Sequence, residues 1–129
     1  MDVFDYFTNF KHVTGKTFCI DIDGVLCVSN KKFLSGPYEG EYDYAQSYPM
    51  QPNIDLVNFL YENNKIIIYT ARGKRTGNID WDVFTKDQLS EWGVKYHHYS
   101  SDKPHFDLMW DDRTVPDRND FMEALKNMA

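Results

Sequence analysis

The hydrophobic pattern along the chain resolves into short apolar runs separated by helical periodicities. Thr17-Phe18-Cys19-Ile20 is such a run, ending on Asp21, and reads as a buried strand. Lys65-Ile66-Ile67-Ile68-Tyr69 is β-branched and does not alternate, as expected of a strand covered on both faces in the middle of a parallel sheet. Between them Ile54, Val57, Leu60 and Tyr61 recur at helical spacing, with Asn53 as the expected N-cap and Asn63-Asn64 as the stop. A second helix is expected from Trp81 to Trp92, with Phe84, Gln88 and Trp92 along one side, Val83 and Leu89 beside them, and Gly93 as its C-terminal cap. Val94 to Tyr99 reads as a weaker, more polar strand near a sheet edge. Asp107-Leu108-Met109-Trp110 reads as a short fourth strand, and Phe121 to Met128 as a closing amphipathic helix. Strands alternating with helices predict right-handed crossovers and an α/β three-layer sandwich, a central parallel sheet with helices on both faces. Ligands in such folds sit beyond the carboxyl ends of the strands.

Two segments depart from this alternation. Residues 29–52 hold Gly36-Pro37, Gly40 and four tyrosines, Tyr38, Tyr42, Tyr44 and Tyr48, and read as an inserted hairpin or ordered loop over those strand ends. The aromatic stretch from Val3 to Phe10 reads as a short helix laid on the sheet, with a partner-binding surface as the alternative. No repeat, low-complexity tract or linker divides the 129 residues, so a single domain over 1–129 is expected.

Charge narrows the partners. Fourteen basic against twenty acidic side chains give a formal net charge of −6, which biases against general affinity for nucleic acid or anionic membranes without excluding a local basic patch. No apolar stretch approaches the roughly 20 residues needed to span a bilayer. The Met1-Asp2-Val3-Phe4-Asp5 start lacks the basic and apolar regions of a signal peptide, so a cytoplasmic protein is expected. Cys19 and Cys27 form no Cys-x-x-Cys spacing and are read as reduced packing residues.

The candidate chemistry lies at the strand ends. Asp21 and Asp23 follow the first strand, Thr70-Ala71-Arg72 the second, Lys103-Pro104 the third, and Asp111-Asp112-Arg113 the fourth. Each has an ordinary reading as a loop or turn. Their joint occurrence puts polar and charged groups where all four strand ends converge.

In these motifs the chain resembles the haloacid dehalogenase superfamily of magnesium-dependent aspartyl phosphatases. Phe18 to Leu26 is similar to the family's first motif, Ile66 to Arg72 to its second, Lys103-Pro104 to its third and Leu108 to Asp112 to its acidic fourth. The motifs lie in family order over about residues 17 to 113. The resemblance implies a Rossmann-like core, and the short 29–52 insertion resembles the minimal-cap branch, whose open site suits a large substrate, a lid from a partner subunit or a small sugar phosphate under the tyrosine-rich loop.

The same resemblance assigns roles that physics makes intelligible. Asp21 would be the nucleophile that forms an aspartyl-phosphate. A carboxylate and a phosphate repel by about 4 kcal/mol per pair of unit charges at about 4 Å and an effective dielectric of about 20, so a cation must stand between them. Mg²⁺ accepts a few carboxylate oxygens and several waters, and Asp21, the main-chain carbonyl of Asp23, and Asp111 or Asp112 would supply its protein oxygens. Trp110 precedes Asp111 where many relatives carry a smaller residue, so both adjacent carboxylates remain candidates. Lys103 would neutralise residual charge, Thr70 would donate to the phosphoryl oxygens, and Asp23 would act as general acid and then base. An Asp at that position favours phosphatase over dehalogenase chemistry. Gly24 would let the backbone turn and offer amides to phosphate, and Arg72 is placed to meet a second anionic group on the substrate.

The expected activity is therefore Mg²⁺-dependent hydrolysis of a small phosphorylated substrate, with a sugar phosphate preferred on resemblance. Nucleic-acid 3′-end processing is one alternative, and a non-catalytic binding protein with this fold is another. His97 and His98 should face opposite sides of an edge strand, His12 has no assigned role, and His105 lies near Lys103. Arg72-Gly73-Lys74-Arg75 is a local basic cluster.

Overall fold

The structure is a computed structural model and describes residues 3–29, 31–37, 39–72, 81–100, 102, 104–111 and 117–128. Its centre is a four-stranded parallel sheet built from β1 (Thr17–Asp21), β4 (Lys65–Tyr69), β5 (His98–Ser100) and β6 (Leu108–Trp110), in the order β5-β4-β1-β6. Two further short strands, β2 (Cys27–Val28) and β3 (Tyr48–Pro49), pair antiparallel and close the base of the inserted segment. The helices are α1 (Val3–Phe10), α2 (Gln51–Tyr61), α3 (Trp81–Glu91) and α4 (Arg118–Lys126). The arrangement is α/β with a parallel sheet flanked by helices, compatible with a Rossmann-like fold.

β1 and β4 coincide with the apolar runs that predict them. Phe18 lies beside Ile66 and Ile20 beside Ile68, so one face of the sheet presents a continuous buried row. Cys19, Ile67 and Met109 form the opposite row and are also buried, the arrangement expected when neither face meets water. Trp110 stacks on Phe121 at 4.3 Å between centroids, and Phe18 meets the same ring edge-on at 5.9 Å, which seats α4 against β1 and β6. The N-terminal stretch packs into this core: Tyr6 and Phe10 are buried, Tyr6 stands against Phe59, and its hydroxyl donates to the Pro52 carbonyl at 3.2 Å.

Three expectations change. Asn53 does not cap a helix: α2 begins at Gln51, and Asn53 is buried within it, donating through Nδ2 to the Val25 carbonyl at 2.7 Å. Pro52 in the first turn, where an amide has no intrahelical partner, explains the earlier start. α3 buries Trp81, Thr85, Gln88 and Leu89, whereas Val83 is exposed, so its inner stripe is rotated from the apolar one read in the sequence. The third strand starts only at His98. One residue earlier, the His97 Nδ1 accepts the Ile66 amide at 3.0 Å, so a ring nitrogen stands where a strand carbonyl would. Gly93, by contrast, ends α3 as expected, with φ of 74°.

Candidate active site

The site grows from the end of the central strand. Ile20 is level with Ile68 on one side and Trp110 on the other, so Asp21 follows between the ends of β4 and β6. β1 is the first strand in sequence and has neighbours reached in opposite directions, which makes its carboxyl end the switch point where this architecture opens a crevice.

A tight turn then sets the second carboxylate. The Ile22 carbonyl accepts the amides of Val25, Leu26 and Cys27 at 3.2, 2.8 and 3.2 Å, while Ile22, Val25, Leu26 and Cys27 are all fully buried. Anchoring those four side chains leaves Asp21 and Asp23 partly open and Gly24 exposed. Gly24 has φ of 86°, a left-handed conformation that a side chain disfavours. Its amide donates to the Cys27 carbonyl at 2.9 Å, so this N–H closes the turn and is not turned toward a ligand. The Ile22 amide donates to Asp21 Oδ1 at 2.8 Å, fixing that carboxylate relative to the strand.

Arg72 defines the other wall. Its guanidinium is fully buried and pairs with Asp23 in fork geometry, Nε to Oδ2 at 3.0 Å and Nη2 to Oδ1 at 2.8 Å. Nη1 donates to Gln88 Oε1 at 2.7 Å and to Thr85 Oγ1 at 3.3 Å, and Nη2 reaches Cys27 Sγ at 3.6 Å. These contacts engage all five guanidinium N–H groups. The Tyr44 ring covers the guanidinium at 4.4 Å. Burial alone would lower the Arg72 pKa, but the bonds and charge of Asp23 outweigh it and leave the guanidinium above its ordinary value. The side chain expected to meet an anion on the substrate thus meets Asp23.

Thr70 directly follows β4 and is buried, and its Oγ1 accepts the Arg72 amide at 3.0 Å. This local turn aims the arginine inward. Because Oγ1 is the acceptor in that bond, the bond does not use the Thr70 hydroxyl proton. Asp111 is partly buried at the end of β6, level with Asp21. Lys103 and Asp112, proposed as the neutralising cation and an alternative metal ligand, lie outside the described residues, as do Tyr38 and Gly73-Lys74-Arg75.

Cys27 takes a larger part than packing. Its Sγ lies 3.5 Å from Asp23 Oδ1 and 3.2 Å from Ser29 Oγ, and Ser29 in turn bonds Ser47 across the β2–β3 ribbon. Burial, reinforced by the Asp23 charge, pushes the thiol from its ordinary 9.0 up to about 12. Cys27 is therefore a neutral donor toward Asp23 and not a thiolate nucleophile.

The donor set suits a hard divalent cation. Among the described residues no three His, Cys, Asp or Glu side chains gather closely enough to form a metal cluster. Mg²⁺, however, needs only one or two carboxylates with waters, and Asp21 and Asp111 stand at adjacent strand ends.

Sequence reasoning missed the partners of Arg72: Cys27, Tyr44, Thr85 and Gln88. The available signal was Gln88, an amide placed on the inner side of a helix between Phe84 and Trp92.

Comparison with protein-family models, with curated proteins and with solved structures returns no match. Among the described residues no helix is long and apolar enough to cross a membrane.

Proposed function

We propose that this chain is a Mg²⁺-dependent phosphomonoesterase with a minimal-cap core of the haloacid dehalogenase type. One observation carries the reading: Asp21 and Asp23 stand at the switch point of a parallel sheet, with Thr70 and Asp111 at the two adjoining strand ends. Residues with the chemistry of phosphoryl transfer thus come from motifs far apart in the chain, 47 positions between Asp23 and Thr70 and 41 between Thr70 and Asp111.

Asp21 attacks phosphorus through a carboxylate oxygen while the ester P–O bond breaks, and Asp23 delivers a proton to the departing oxygen. Water then attacks the phosphorus of the aspartyl-phosphate and yields its proton to Asp23, releasing inorganic phosphate and restoring the Asp21 carboxylate. A carboxylate offers about four lone-pair sites; Arg72 engages two of those on Asp23 and the Cys27 thiol a third, so its orientation is held while one remains for the proton. Thr70 donates to a phosphoryl oxygen. Asp21, Asp111 and the Asp23 carbonyl would hold Mg²⁺, which supplies positive charge against the phosphate when bound.

Substrate class follows from what surrounds Asp23. The inserted segment lays Tyr44 over Arg72, the partner of Asp23, at 4.4 Å and stacks Tyr42 on Tyr44 at 6.2 Å, with Tyr42 exposed. Such a surface suits the apolar face of a sugar or similar small leaving group. The test is phosphate release from sugar phosphates, nucleotides and a 3′-phosphorylated oligonucleotide, with Mg²⁺ or chelator and with Asp21→Asn as the blank. Metal-dependent release from sugar phosphates, absent in the blank, is expected. Preferential release from the oligonucleotide, falling steeply with salt, would replace this substrate class with nucleic-acid ends. Silence across the panel would overturn the phosphatase reading.

A further inference from the structure

We propose that Gln88 is a positioning residue: its side-chain amide ties the inserted segment to Arg72 and thereby sets the orientation of the Asp23 carboxylate. The inference rests on the phosphatase reading of Asp21 and Asp23.

The amide bridges two groups that can be satisfied in only one way. Its Oε1 accepts from Arg72 Nη1 at 2.7 Å, and its Nε2 donates to the Tyr44 carbonyl at 2.9 Å. A guanidinium is donor-only and a carbonyl acceptor-only, so flipping the amide would oppose donor to donor and acceptor to acceptor. The Tyr44 carbonyl also accepts the Ser47 amide at 3.1 Å, closing the short 3₁₀ turn Tyr44–Gln46. Gln88 therefore grips the turn at the point that shapes it.

The same turn places the Tyr44 ring over Arg72 and edge-on against Trp81, 4.8 Å between centroids. Arg72 is thus held on its edges by Gln88, Thr85 and Asp23 and on one face by Tyr44. Beside this latch, packing is incomplete. A cavity of about 260 Å³, open between the turn and α3, is lined by Ala45, Ser47, Phe84 and Trp92 as well as by Gln88. Continuous apolar contact does not dock the segment there, and the amide spans the gap. Displacing the segment removes a partner of Gln88 and the cover of Arg72 together, which loosens the fork on Asp23.

Two variants separate the connections. Gln88→Met removes both bonds at similar length. Gln88→Glu keeps an acceptor for Arg72 but sets an oxygen against the Tyr44 carbonyl, so it uncouples the segment alone. Each is measured on a 4-nitrophenyl phosphate and on an alkyl phosphate, whose leaving oxygen needs a proton. A well-placed general acid contributes about 10²–10⁴-fold, and its misorientation forfeits part of that. Gln88→Met is expected to lower kcat on the alkyl ester by about 10-fold. The loss on the aryl ester should be under about 2-fold, with KM little changed. Gln88→Glu should show the same selectivity with a smaller loss. Equal losses on both esters, or none, would overturn the inference while leaving wild-type, Asp21-dependent hydrolysis intact. A second readout needs no turnover: the slowly exchanging Arg72 Nε–H in ¹⁵N NMR, assigned by its loss in Arg72→Lys. Its shift and faster exchange in Gln88→Met support the latch, and an unchanged signal refutes it even if the wild-type protein proves inactive.

Discussion

Asp23 and Arg72, 49 residues apart in the chain, meet in a two-point ion pair, with Nε to Oδ2 at 3.0 Å and Nη2 to Oδ1 at 2.8 Å. The arginine is fully buried and the aspartate side chain 30% exposed, so the pair lies at the floor of the site with one edge toward solvent. Breaking a buried pair by removing one partner costs about 3–5 kcal/mol, because the remaining charge is left uncompensated. Arg72→Ala should cost near the lower end of that range, since water can reach Asp23. Arg72→Lys should recover only part of the loss, because an ammonium cannot make the fork. Urea unfolding of the three proteins checks this, and equal stability for Lys and Arg would show that charge alone matters.

If Asp21 is the nucleophile and Asp23 the acid, their amide variants must behave differently. Asp21→Asn should abolish turnover at unchanged fold. Asp23→Asn should slow alkyl esters by about 10²-fold or more and aryl esters far less. Steady-state kinetics on the two ester types reads this directly, and an equal loss on both would remove Asp23 from the role of acid.

Alkaline pH should weaken the fold. Burial, with the Asp23 charge second, raises the Cys27 thiol from 9.0 to about 12. Burial followed by Asp23 raises Tyr44, and burial followed by Asp82 raises Tyr99, each above the ordinary 10.0. All three are acids whose folded-state pKa exceeds the unfolded one. Their stabilising contribution is complete below the unfolded values and is lost as pH climbs toward the folded ones, since the unfolded chain releases protons that the folded chain retains. The urea midpoint should therefore fall from about pH 9 upward, and Cys27→Ala should flatten the first part of that decline. Alkylation of the folded protein by iodoacetamide should also stay slow near pH 8, where Cys27 remains a thiol.

Asn53 joins α2 to the turn that follows β1 through its bond to the Val25 carbonyl. Asn53→Leu should leave that buried acceptor without its donor and cost about 1–3 kcal/mol. A helix-capping residue replaced by Leu would cost about 1 kcal/mol. The two roles also differ in where the damage falls: hydrogen exchange should quicken at Val25 to Cys27 and not at the start of α2.

Much of the architecture was legible because it depends on local pattern. The non-alternating run Lys65 to Tyr69 could be satisfied only by a strand covered on both faces, and the observed strand has the same bounds. Gly93 and Trp81 likewise mark the limits of α3 through conformational freedom and periodicity. The boundaries that moved involve a partner far along the chain. Asn53 has the side chain of a cap, yet it serves Val25, and His97 has the pattern of a strand residue, yet its ring serves Ile66.

Local pattern was enough for the order of strands and helices, the parallel sheet, and the placing of Asp21, Asp23, Thr70 and Asp111 at strand ends, since burial periodicity and turn chemistry are properties of neighbouring residues. Tertiary structure alone decided what those groups touch. Arg72 could be read as a ligand for substrate because an exposed loop cation and a buried one look alike in sequence. Only the packing of β4 against β1 and of α3 beside them shows its guanidinium enclosed by Asp23, Cys27, Thr85, Gln88 and Tyr44. A hydrogen bond depends on distance and angle between groups 13 to 49 residues apart here, and no local pattern encodes either.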